Sequence, residues 1–267
     1  HQFQSLVDAG YHVVAPDQRG YGHTDSAESM EQYSILHLVG DVAQLIHALG
    51  EEQAVVIGHD WGAVVAWYTA LLRPDLVRGV AGLSVPPAPR SPAPPLSLLR
   101  QHFGEGFYQI YFQRPGVAEA EFEADVRTMF RTLLGGTTDR PGVPAGAGFL
   151  DQFTAPQVLP DWLDDEDIDV AVDSFTRSGF SGGLNWYRNI DRNWELTSPW
   201  HHAQITPPAL YLSGERDLVR QFTDISGIDR IVPNLRGIVD IPDAGHWLPQ
   251  ERPDEVNTAL LNFIKEI

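Results

Sequence analysis

The stretch that most constrains this chain lies between residues 54 and 74. Ala54-Val55-Val56-Ile57 is a short all-apolar run, the kind buried on both faces of a parallel sheet. Gly58-His59-Asp60-Trp61-Gly62 follows, and residues 63–72 then read as a helix closed by Pro74. A strand must therefore turn sharply into a helix, with a glycine on either side of one reactive residue. Gly58 and Gly62 permit a turn that a Cβ would obstruct. A helix starting here aims its leading N–H groups and positive dipole end at the Asp60 carboxylate, favouring the ionised form. An aspartate before a helix is also a common N-cap, so this segment alone leaves a capping role open.

The flanking text supplies the context. Residues 11–15 read as a short buried strand ended by Pro16, and residues 17–22 as a glycine-rich loop. Residues 33–49 carry Ile35, Leu38, Val39, Val42, Leu45, Ile46 and Leu49 at helical spacing, with Ser34 as N-cap and Gly50 as stop. Residues 79–85 read as another strand. Residues 86–95 then hold six prolines in ten positions, a hinge or boundary. From there to about residue 192 the pattern is helical and aromatic, with a loose Gly/Pro/Thr stretch at 135–148. Strand and helix alternate again at 209–212, 236–241 and 253–264, where Pro253 suits a first helical turn. The reading is an α/β fold: a core in two parts, 1–86 and 193–267, with a helical insertion at 87–192.

Composition narrows the function. The chain has 267 residues, long enough for a core without staples. It has no cysteine, so disulfides, thiolate nucleophiles and cysteine zinc sites are out. A formal charge of −18 disfavours nucleic acid and anionic membrane surfaces as partners. No apolar run approaches the roughly 18 residues a membrane helix needs. We expect a cytoplasmic protein with a small-molecule substrate; a monomer and a homodimer both stay open.

The elbow resembles a nucleophile elbow with aspartate in place of serine. Serine attacking a saturated carbon leaves an ether, which water does not readily cleave. A carboxylate leaves an ester, which activated water can hydrolyse. Asp60 thus points to displacement at carbon, on epoxides or alkyl halides. Asp217 lies just past the strand 209–212, and His246 in the loop past the strand 236–241. Both sit at strand carboxyl ends, where open α/β sheets build sites, in the chain order nucleophile, acid, histidine. Each alone would pass for an ordinary loop residue; their conjunction with the elbow makes them an acid–base pair. His201 and His202 are adjacent and point apart, a poor metal pair. His12, His23, His37, His47 and His102 read as surface or packing residues.

Several motifs now agree. They are Val-Val-Ala-Pro-Asp-Gln-Arg-Gly-Tyr-Gly at 13–22, Gly-His-Asp-Trp-Gly at 58–62, Tyr-Gln-Ile-Tyr-Phe-Gln-Arg-Pro-Gly-Val-Ala-Glu-Ala-Glu at 108–121, and Ser-Gly-Phe-Ser-Gly-Gly-Leu-Asn-Trp-Tyr-Arg-Asn at 178–189. Over nearly its whole length the chain resembles the soluble epoxide hydrolase family of the α/β-hydrolase fold. The resemblance implies that Tyr108 and Tyr187 hold the epoxide oxygen. A phenol suits that task, since a neutral O–H donor can bind a forming alkoxide and pass it a proton. It also implies that the Trp61 N–H serves the oxyanion hole, with Trp61, Phe107, Gln109 and Trp247 contacting substrate. Tyr111, Phe112, Trp186 and Trp194 are expected to pack. No cofactor and no metal are implied.

The chain departs from the family at Ala63, where a second glycine is usual. The family's His-Gly-x-Pro segment, which lends an oxyanion N–H, is absent and would precede residue 1. The expectation is a further upstream piece of at least about 30 residues, the scale of three strands of roughly 5–6 residues plus turns. Two alternatives stand beside the main reading: a haloalkane dehalogenase, which shares the aspartate but not the paired tyrosines, and a non-catalytic small-molecule receptor.

Overall fold

A computed structural model describes residues 1–138, 142, 143 and 145–267. The chain divides into two compact units. The first comprises His1–Pro16, Leu38–Arg90 and Pro199–Ile267; the second comprises Asp17–His37 and Ser91–Ser198.

The first unit is built on four parallel strands: β1 (Ala54–His59), β2 (Val77–Leu83), β3 (Ala209–Gly214) and β4 (Leu235–Ile241), in the order β1-β2-β3-β4. Side chains alternate faces along a strand, and each face finds its own cover. Val80, Ala209 and Tyr211 pack with Ala63, Ala66, Trp67 and Ala70 of the helix Trp61–Leu72. Ala81, Leu83, Leu210 and Leu212 pack with Val256, Leu260 and Phe263 of the helix Pro253–Lys265. The expected strands at 54–57, 79–85, 209–212 and 236–241 thus exist, with ends displaced by at most two residues.

The expected strand at 11–15 does not form. These residues make no ladder, and Val14 is 42 % exposed. An apolar run becomes a strand only beside a partner edge, and among the described residues β1 pairs with β2 alone.

The second unit is helical. Its core joins Tyr111, Phe112, Phe122, Met129, Phe130, Phe149, Phe180 and Leu184, dense in ring contacts. Residues 17–37, read from the sequence as part of the first core half, group with this unit. Trp186 donates its indole N–H to the Arg19 carbonyl at 3.2 Å, Asn189 its amide to the Met30 carbonyl at 2.7 Å, and the Ile35 N–H donates to Asn193 at 2.8 Å. Tyr21 meets Phe175 and Trp186 edge-on. The loose stretch read at 135–148 lies partly outside the described residues. Among the described residues no helix is long and apolar enough to cross a membrane.

Candidate active site

Parallel strands put all their carboxyl ends on one edge, and each of the four strands delivers one polar residue there. Asp60 follows β1, Ser84 follows β2, Asp217 lies three residues past β3 and His246 five past β4.

At the first position the elbow is as tight as its glycines require. A Cβ on Gly58 would overlap the Gly62 carbonyl. Asp60 adopts φ 52° and ψ −120°, a conformation that side-chain-bearing residues rarely take. It stands at the N-cap position of the helix Trp61–Leu72, yet among the described residues its carboxylate makes no capping hydrogen bond. The capping role left open by the sequence is therefore not what the side chain does. Trp61 opens that helix, whose leading N–H groups project from its end.

His246 links the two carboxylates. Its Nε2 lies 3.5 Å from Asp60 Oδ2, and its Nδ1 lies 3.2 Å from Asp217 Oδ1. The Asp217 side chain is fully buried, whereas those of Asp60 and His246 remain 34 % and 27 % exposed. Burial pushes the Asp217 carboxyl up, but hydrogen bonds from His246, from the Ser84 hydroxyl and from the Val219 N–H outweigh it and hold the group below its usual range. Burial likewise pulls His246 down, but the bond to Asp217 and the negative charges of Asp60 and Asp217 carry it above its ordinary value. An imidazole whose Nδ1–H is given to an acid presents a bare Nε2 to its other neighbour, the tautomer a general base needs.

The loop carrying His246 is held through its backbone N–H and carbonyl groups. Glu251 accepts from the Gly245 N–H at 2.7 Å and the Trp247 N–H at 2.9 Å, bracketing the histidine. The Arg216 N–H donates to the Ala244 carbonyl at 2.8 Å, which ties this loop to the one bearing Asp217. His59 contacts the His246 carbonyl through Nε2 at 2.7 Å, and its ring packs near Trp247. Burial, aided by the neighbouring His246, keeps the His59 imidazole below its ordinary value.

Sequence reasoning missed Ser84. Its Oγ donates to Asp217 Oδ2 at 2.5 Å and lies 3.0 Å from His246 Nδ1. A serine after a strand carries no chemical signal by itself; its position at the β2 carboxyl end was the one available clue.

The tyrosines belong to the second unit. Tyr108 opens the helix Tyr108–Tyr111, and Tyr187 lies near the end of the helix Ser181–Arg188. Their rings meet edge-to-face at 6.0 Å, and Phe112 contacts both, at 5.7 and 5.0 Å. Gln109 donates its amide to the Tyr108 hydroxyl oxygen at 2.9 Å. Phe107 is 1 % exposed and stacked on Phe103 at 4.7 Å. Gln113 donates to the Tyr187 carbonyl at 3.0 Å. The Arg188 guanidinium reaches the Phe112 carbonyl at 3.1 Å and pairs with Glu119 at 2.8 Å, with both side chains nearly buried. Among the described residues no three His, Asp or Glu side chains gather as they would around a metal ion.

Comparison with known proteins gives a consistent result. A family profile described as alpha/beta hydrolase fold matches residues 1–253. The chain is 46 % identical to Epoxide hydrolase A of Mycobacterium tuberculosis, over 99 % of this chain and 85 % of that protein. It is 41 % identical to Epoxide hydrolase 3 of Siraitia grosvenorii, over 100 % of this chain and 87 % of that one. Among solved structures, Epoxide Hydrolase A from Mycobacterium thermoresistibile superposes with a TM-score of 0.96 at 49 % identity, covering 99 % of this chain and 85 % of that chain.

Proposed function

The chain belongs to the epoxide hydrolases of the α/β-hydrolase fold, and from that premise we propose that it converts an epoxide and water to a vicinal diol through an alkyl ester on Asp60. The observation that carries the proposal is a half-exposed carboxylate at an elbow, 3.5 Å from the Nε2 of a histidine whose Nδ1 is on a buried acid.

In the first half-reaction an Asp60 oxygen attacks a ring carbon, the carbon–oxygen bond of the ring breaks, and Tyr108 and Tyr187 bind the departing oxygen and supply its proton. In the second, His246 takes a proton from water while Asp217 stabilises the imidazolium. The resulting hydroxide attacks the carbonyl carbon of the Asp60 ester, and the Trp61 N–H binds the oxyanion. Collapse leaves Asp60 as a carboxylic acid with one oxygen from water, and His246 gives its proton to the leaving diol oxygen. The acid then loses its proton, which makes good the one the tyrosines supplied, and the resting carboxylate and phenols return. Ring opening does not require the histidine; ester hydrolysis does.

His246→Gln separates the two halves. Mixed with a panel of aryl and alkyl epoxides, the variant should gain one substrate mass, located on Asp60 by peptide mapping. A single turnover of wild type in heavy-oxygen water should yield unlabelled diol and label Asp60. An unmodified His246→Gln protein, or labelled first-turnover diol, would overturn the assignment.

A further inference from the structure

We propose that Ser84 is a positioning residue for the hydrolytic half-reaction: its hydroxyl bridges Asp217 and His246 and fixes their mutual orientation, without a part in ring opening. The inference rests on the roles given to Asp60 and His246 above.

The Ser84 side chain donates its only proton to Asp217 Oδ2 at 2.5 Å. Its oxygen is then an acceptor, and it lies 3.0 Å from His246 Nδ1. The Nδ1–H is therefore shared between two acceptors, Asp217 Oδ1 at 3.2 Å and Ser84 Oγ. Asp217 Oδ1 also accepts the Val219 N–H at 2.9 Å, so both carboxylate oxygens are occupied and the carboxylate plane is set. Acid, hydroxyl and imidazole form a closed triangle in place of a single contact.

The backbone shows that this position is built. Ser84 is fully buried and sits at φ 70°, in the left-handed region. Its N–H donates to the Leu212 carbonyl at 2.8 Å, and its carbonyl accepts the Tyr211 hydroxyl at 2.8 Å. β3, the strand that leads to Asp217, thus grips the residue that steadies Asp217. Burial pushes the Tyr211 hydroxyl up to about 12, so it stays a proton donor throughout the working range.

The two half-reactions ask different things of this triangle. Asp60 needs no base to attack carbon. Water attack needs Nε2 bare and aimed, and then needs the new imidazolium to find acceptors. Removing the hydroxyl should therefore slow ester hydrolysis and spare ester formation.

The test uses Ser84→Gly and Ser84→Ala in the full chain, with styrene oxide as probe. Glycine relaxes the backbone at φ 70°, so its defect reports the lost hydroxyl and not strain; alanine keeps the Cβ. Rapid-quench mass spectrometry reads ester formation and decay separately, and the burst amplitude counts competent sites. A lost hydrogen bond to a charged group predicts hydrolysis slower by about 10–100-fold, with ester formation within about 3-fold of wild type. Since ester then accumulates, kcat and KM should fall together and kcat/KM should hold. Wild-type hydrolysis in both variants, or equal loss in both half-reactions at full burst amplitude, would overturn the proposal. If His246→Gln gains no ester from styrene oxide, the underlying assignment falls first; if it does and the Ser84 variants behave as wild type, only the bridge falls.

Discussion

In the sheet unit the candidate nucleophile, acid and base stand at strand ends and are held by directed hydrogen bonds, whereas in the helical unit the two candidate tyrosines stand in a cluster of aromatic rings. Asp217 has partners at 2.5, 2.9 and 3.2 Å, each of fixed geometry. Tyr108 and Tyr187 instead contact each other and Phe112 at centroid distances of 5.0–6.0 Å. The difference follows from the chemistry. A buried charge must have every lone pair answered. A neutral phenol needs only that its ring be packed and its hydroxyl be left able to donate. The first arrangement admits few substitutions; the second can change the shape of its surroundings while keeping its two donors.

The largest expected effect tests whether the phenols act as donors at all. Tyr108→Phe and Tyr187→Phe should each slow ester formation by about 10²–10⁴-fold, and the double variant should nearly abolish it, since each removes one positioned proton donor but keeps the ring. Stopped-flow tryptophan quenching or rapid quench reads the rate; a double variant that alkylates near the wild-type rate would revive a reading without paired tyrosines. Next, Arg188→Met removes the charged partner of the nearly buried Glu119 carboxylate, leaving it only the Gly116 N–H and the Ser181 hydroxyl, and should cost about 3 kcal/mol by denaturant unfolding. If ring packing places Tyr187, ester formation per folded molecule should survive that loss; a matching fall in alkylation would show that the ion pair places the tyrosine.

A third test concerns proton affinity in the sheet unit. Asp60's negative charge helps raise His246 in the resting enzyme. Alkylation makes Asp60 neutral, so that contribution vanishes while the bond to Asp217 persists. The rate of ester hydrolysis should rise with pH through an apparent pKa lower than that of resting His246 followed by NMR. Equal values would mean that the Asp60 charge does not reach the imidazole.

Much of this was legible because it is local. Gly58 and Gly62 flank Asp60 within five residues, and the order Asp60, Asp217, His246 is visible along the chain. What escaped is long-range. Ser84 and Asp217 are 133 positions apart and meet because β2 and β3 are neighbours, a register that no local pattern encodes. Glu119 and Arg188, 69 positions apart, are likewise joined only by packing. Residues 11–15 show the converse error: their apolar run satisfies the local rule for a strand, but pairing is a property of two segments. Residues 17–37 lie between core segments in sequence and cluster with the helical unit through Arg19, Tyr21, Met30 and Ile35.

The backbone of Asp60 carries one more consequence. At φ 52° and ψ −120° it occupies a conformation that favours glycine, and a residue with a side chain there typically costs about 1–3 kcal/mol. Asp60→Gly should therefore be inert and melt at a higher temperature than wild type; an unchanged or lower melting point would mean that the carboxylate repays its own strain. A library screened for heat resistance alone would discard this aspartate, and so would drift on a scaffold kept only to bind. With Asp60 as nucleophile and that melting result, durability and turnover would be opposed at a single pair of dihedral angles, and any effort to toughen the protein would have to exempt that residue.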